Sequence, residues 1–131
     1  MSARVLTGID ELTAAVGEHL GYSDWVIVDQ ERLDGFAAST GTTDYLAVTL
    51  VPLLGGQVHD FQGFSMGVNY GCDRIRFPAP LSPGARVRAG VEVTAVDPFG
   101  AGVQVRTTVT IEREHADRPV CIAETIAYLV P

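Results

Sequence analysis

The apolar and polar positions of this 131-residue chain fall into two regimes that change over near Phe64. Beyond that point the spacing is two. Val87, Ala89, Val91, Val93 and Ala95 alternate with Arg86, Arg88, Gly90, Glu92 and Thr94. Val103, Val105, Thr107, Val109 and Ile111 alternate in the same way with Gln104, Arg106, Thr108, Thr110 and Glu112. Val120, Ile122, Ile126 and Tyr128 form a last run that Glu124 breaks. Side chains on a strand point to opposite faces in turn, so each run reads as a strand with one buried face. Pro98-Phe99-Gly100 and His115-Ala116-Asp117-Arg118-Pro119 carry the turn residues between them.

Before Phe64 the spacing is mostly helical. Ile9 to Val16 reads as a short amphipathic helix closed by Gly17. Asp24 to Val28 is a strand candidate rich in aromatic and β-branched residues. Asp29 suits an N-cap, and Arg32, Leu33, Phe36 and Ala37 repeat at helical spacing up to Gly41. Thr42 or Thr43 caps a second helix, expected from about Asp44 to Leu54 and ended by Gly55-Gly56. That helix is apolar nearly all round, which predicts burial on most sides, and Pro52 is expected to bend or finish it. One strand, then helices, then long antiparallel strands gives an α+β chain, a single domain over residues 1–131 with a curved sheet around one buried helix.

Composition narrows the partners. The hydrophobic share of 47% suits a folded globule, and the net charge of −7 repels phosphate backbones and anionic bilayers. Neither nucleic acid nor a membrane is expected as a partner. The longest apolar run, Tyr45 to Leu54, is far below the ~20 residues that span a bilayer. Met1 to Leu6 lacks the apolar stretch of a secretory leader, so the expectation is a cytoplasmic protein. Cys72 and Cys121 both fall in apparent strands and have no metal-ligand or redox spacing, so they read as small buried hydrophobes. No metal or cofactor is expected.

Three segments carry a resemblance: Phe36-Ala37-Ala38-Ser39-Thr40-Gly41, the run Thr42 to Leu50, and Met66 to Pro80 with its core Asn69-Tyr70-Gly71 and Arg74-Ile75-Arg76-Phe77-Pro78-Ala79-Pro80. Together they resemble the MaoC-like hot-dog family, the (R)-specific enoyl-thioester hydratases and dehydratases, over roughly Val16 to Val130. The resemblance implies a hot-dog fold and a dimer with sheets aligned edge to edge. It also implies an acyl or polyketide-type substrate, carried on coenzyme A or a carrier protein, in a tunnel beside the central helix. A backbone amide at that helix's amino end is then expected to hold the thioester carbonyl. The family's acid–base pair is an Asp just after the Thr-Gly pair and a His several residues later. Here Thr42 stands in place of that Asp, and no His lies between Gly41 and His59. A segment on the order of twenty residues is missing by comparison with the family, and threonine cannot act as a carboxylate base at neutral pH.

The candidates are therefore those left beside the expected carbonyl site. Asp44 is either a pocket acid/base or a carboxylate satisfying the helix dipole. Tyr45 is either a hydrogen-bond donor to substrate or packing. Thr42, Thr43, Asn69 and Tyr70 are the expected substrate-binding residues, the last two alternatively structural. Arg74 and Arg76 share a face that suits carboxylates, pantetheine phosphates or solvent. His19 and His115 read as surface residues, and His59 as a loop residue after the central helix that is able to approach a pocket. Three functions stay open. One is an enzyme with a remodelled site that dehydrates, isomerises or cyclises its substrate through an enolate. Another is a non-catalytic acyl-binding subunit that pairs with an active hot-dog partner. The third is an ordinary enoyl-thioester hydratase.

Overall fold

The computed structural model describes residues 2–131. Its elements in chain order are β1 Arg4–Thr7, α1 Gly8–Ala14, β2 His19–Tyr22, β3 Val26–Val28, α2 Gln30–Thr40, α3 Leu46–Val58, β4 His59–Gln62, β5 Met66–Arg76, β6 Ala85–Phe99, β7 Gly102–Arg113 and β8 Cys121–Val130. The main sheet is antiparallel in the order β2-β6-β7-β8-β5, with β3 also on β6, and wraps around α3 in the α+β hot-dog arrangement. A second, two-stranded sheet pairs β1 with β4 in parallel.

The strand expected over Asp24–Val28 is shorter, and β2 precedes it. Both lie along β6, because Ser23 bridges them: its N–H donates to the Ala89 carbonyl and its hydroxyl accepts from the Ala89 N–H, each at 2.8 Å. The Arg88 guanidinium lies 3.8 Å from the Tyr22 ring centre and 4.6 Å from that of Trp25, which ties both short strands to β6.

The period-two expectation holds fully in β7, where Val103, Val105, Thr107, Val109 and Ile111 are all buried. It fails at two places, for different reasons. In β6 the register slips between Val93 and Ala95, so Val96 opposite Val105 takes the inward place expected of Ala95. In β8 the inward row is Cys121, Ala123, Thr125, Ala127 and Leu129, one residue out of step with Ile122, Ile126 and Tyr128. Both faces of β8 carry apolar residues, so pattern cannot choose between them. Pairing of Ile111, Val109 and Thr107 with Cys121, Ala123 and Thr125 makes the choice.

The first helix is Gly8–Ala14, shorter than the expected span, and Gly17 turns the chain with its N–H on the Val93 carbonyl at 2.8 Å. In α2 the expected caps are present. The Asp29 carboxylate accepts the Arg32 N–H at 2.9 Å, and Gly41, at φ 85°, ends the helix. The central helix differs from expectation. It starts at Leu46, two residues later than Asp44, and runs through Pro52, Gly55 and Gly56 to Val58. Leu46, Ala47, Leu50, Val51, Leu54, Gly55 and Val58 form its buried face. Burying each large side chain contributes about 1.5–3 kcal/mol, which outweighs ~1 kcal/mol per glycine and explains why the pair does not end the helix.

Leu54 is fully buried, so Leu54→Ala should cost about 2–5 kcal/mol of unfolding free energy. A Cβ at Gly102 would collide with the Leu129 carbonyl oxygen, so Gly102→Ala should cost at least the ~1–3 kcal/mol of an overpacked site. Urea denaturation measures both, and an unchanged midpoint in L54A would contradict the buried position of α3.

Candidate functional site

Two cavities succeed each other along α3. The first, about 380 Å³, opens at its amino end between Thr43, Asp44 and Ala47 on one side and the Phe77–Leu81 stretch on the other. The turn leading into it is held by short hydrogen bonds. The Thr42 hydroxyl accepts the Asp44 N–H at 3.1 Å, and the Leu46 N–H donates to the Thr43 carbonyl at 3.1 Å. No side chain caps α3 and no acidic residue lies in its first turn. The partial positive charge of its first amides is therefore left without a side-chain cap at the end that borders the cleft.

This corrects the expected place of Asp44: it precedes the helix, on the exposed turn at the mouth of the cleft. Tyr45 occupies the N-cap position, 59% exposed, with its ring edge-on to Phe77 at 5.8 Å. Neither expected cap, Thr42 or Thr43, bonds a helix amide through its side chain.

The second cavity, about 550 Å³, lies between α3, β4 and the inner faces of β5, β7 and β8. Val48, Val51, Phe61, Val109 and Leu129 give it apolar walls, and His59, Asn69, Thr107 and Thr125 add polar groups. Gly55 and Gly56 also line it, and a Cβ at either would meet nothing within 4 Å. The glycine pair leaves the flank of α3 bare along this stretch of the cavity wall. The Thr107 and Thr125 hydroxyls bond each other at 2.5 Å.

The expected binding residues are thus divided. Thr43 and Asp44 line the first cavity, with Thr42 in the turn behind them. Asn69 lines the second. Tyr70 belongs to neither: its ring is edge-on to Phe99 at 5.3 Å, and Phe99 in turn meets Tyr128. Arg74 lies 3.8 Å from Glu124, on the register positions that alternate with the inward Ile75. Cys72, expected to be buried, is exposed because β5 is the sheet's free edge, while burial pushes the Cys121 thiol up to about 11.

His59 does not sit in a loop. It ends α3, opens β4, stacks on Phe61 at 4.2 Å and is half-buried in the cavity wall. Burial holds its imidazole below the ordinary value, with the Asp60 carboxylate opposing the shift. The other charged or titratable groups nearby are Arg4, its register partner on β1 and bound to Glu18 at 2.5 Å, and Cys72 across the cavity. Gln57-Val58-His59 carried a signal, in that a helix extended by one turn brings His59 into the wall.

No family model matches the sequence. The chain is 34% identical over 149 residues to the 3-hydroxyacyl-thioester dehydratase Z of Mycobacterium tuberculosis (strain ATCC 25618 / H37Rv), covering 97% of this chain and 99% of the relative. Since 97% of 131 residues is about 127, some 22 of those 149 aligned positions have no residue of this chain opposite them. Among solved structures, the monoamine oxidase regulatory protein from Archaeoglobus fulgius superposes with a TM-score of 0.74 at 15% identity, over 100% of this chain and 99% of the other. The R-hydratase PhaJ1 from Pseudomonas aeruginosa gives 0.66 at 17% identity, over 88% and 81%. These likenesses establish the fold. Among the described residues, no helix is long and apolar enough to cross a membrane.

A histidine buried as the neutral base lowers stability in acid. The unfolded chain, with a His pKa near 6.5, takes up a proton that the folded chain resists. The melting temperature should therefore fall as pH drops from about 7 through about 6, and the fall should be shallower in His59→Gln. Equal slopes in the two proteins would remove His59 as the source.

Proposed function

Since the chain belongs to the MaoC-like hot-dog family of hydratases and dehydratases, we propose that it acts on an acyl or polyketide-type thioester, with its reacting end in the cleft at the amino end of α3. The chemistry is dehydration, isomerisation or cyclisation through an enolate. The observation that carries this reading is an uncapped helix end opening directly on a 380 Å³ cleft. Amides fixed there stabilise the negative charge that grows on the thioester oxygen as the neighbouring carbon loses its proton.

Asp44 is the group beside that cleft able to move the proton. In a dehydration its carboxylate takes the proton from C2, the C3–oxygen bond breaks, and the same proton leaves with the hydroxyl as water. Tyr45 is the adjacent phenol able to hydrogen-bond the departing oxygen while keeping its proton. Thr43, with Thr42 in the turn behind it, completes the polar lining of the cleft, whereas Asn69 lines the second cavity and Tyr70 neither. The twenty-odd aligned positions that this chain lacks fit the loss of the family's catalytic segment and leave the cleft without a roof. Asp44→Asn should lower turnover of a 3-hydroxyacyl thioester by about 10²–10⁴-fold, read by the appearance of the enoyl product. An unchanged rate would reject the role.

A second reading rests on Thr42 in place of the family's Asp. It makes the chain a non-catalytic acyl-binding subunit of an active hot-dog partner. Wild-type protein without turnover on any acyl thioester, but with a stable heterodimer, would favour it.

In the main reading the chain is one cytoplasmic domain that pairs with a second copy along β5. This free edge exposes Met66, Val68, Tyr70 and Ile75, and an unpaired edge is a template for a further strand. Light scattering should then give twice the 14.0 kDa chain mass, and a monomer at micromolar concentration would reject the pairing.

A further inference from the structure

We propose that the 550 Å³ cavity at the far end of α3 receives the distal part of the acyl chain, and that His59 and Asn69 select chains bearing an uncharged oxygen group there, a hydroxyl or a ketone. This rests on the reading that the thioester sits at the amino end of the helix.

The volume lies within the ~300–1,000 Å³ of small-molecule sites. The bare flank at Gly55 and Gly56 makes the space, and Val48, Val51, Phe61 and Leu129 make it apolar. A purely apolar chain would need nothing more. The wall nevertheless presents an imidazole and a carboxamide, while the two threonine hydroxyls are turned to each other. An alkyl end placed against these groups strips their water and returns no hydrogen bond.

The kind of oxygen group follows from charge. A neutral imidazole and a carboxamide each offer a donor and an acceptor. Among the described residues no arginine lines the cavity, and its titratable members besides His59 are limited to Cys72. A carboxylate buried there would have no cation to offset its desolvation, whereas a hydroxyl or ketone matches the neutral pair. Reach is set by the helix: α3 has 13 residues, about 20 Å at 1.5 Å per residue, so only long chains bring their ends to His59.

Saturated coenzyme A thioesters, which cannot be dehydrated, test the assignment by calorimetry in three series of increasing length: plain, ω-hydroxy and ω-carboxy. At lengths that span α3, the wild type should bind the ω-hydroxy chain about tenfold more tightly than the plain one, as one or two neutral hydrogen bonds give, and the ω-carboxy chain least. His59→Phe and Asn69→Leu should each abolish the preference, read as the ratio of ω-hydroxy to plain affinity within each variant. Gly56→Leu should exclude long chains of every kind and spare short ones. Equal affinity for plain and ω-hydroxy chains at all lengths would overturn the inference, as would a preference surviving in H59F or N69L. If short saturated thioesters bind and a short 3-hydroxyacyl thioester turns over, that failure leaves the proposed function standing. Absence of binding by any thioester removes both.

Discussion

The burial of one helix in the hollow of one sheet is the constraint on which the rest of this structure depends. α3 presents Leu46, Leu50, Leu54 and Val58 to the inward rows of β6, β7 and β8, and those rows are mostly valine, alanine and isoleucine. Several large side chains leave water together, at about 1.5–3 kcal/mol each. That total carries the helix through a proline that breaks one backbone bond and past two glycines that would end it in isolation.

A single helix cannot cover a sheet this wide. α3 packs mainly against β6 and β7, with smaller contacts to β2, β4 and β8, and the flank towards β5 stays open. Both cavities border α3, one at its amino end and the other along its length from Val48 to His59, with apolar walls inherited from the core that α3 was meant to fill. The same geometry explains the exposed residues of β5, which form the border of the cavities and the unpaired edge of the sheet. The cavities and the exposed sheet edge are thus two consequences of one mismatch in width.

The polar groups reach their places by different routes. Asp44 is held outside the helix because Thr42 takes its N–H and Thr43 begins the first hydrogen-bonded turn. His59 is drawn into the cavity wall because the helix runs four residues beyond Leu54, which turns an expected loop into the start of β4. Both displacements come from the same shift of α3 towards its carboxyl end. Its cause is the hydrophobic face: Leu54 and Val58 are buried, whereas Asp44 and Tyr45, just before Leu46, are exposed.

Local chemistry alone sufficed for the α+β class, the alternation of β7, both caps of α2 and the family resemblance, because each depends on residues close together in the chain. Alternation names a strand, Asp29 and Gly41 bound a helix, and Asn69 to Pro80 is a contiguous motif. The inward face of β8, the slip in β6, the length of α3 and the position of His59 were settled only in three dimensions. Each turns on a competition between faces or residues of similar hydrophobicity, and the winner is the one that a neighbouring strand or the core can pair and bury.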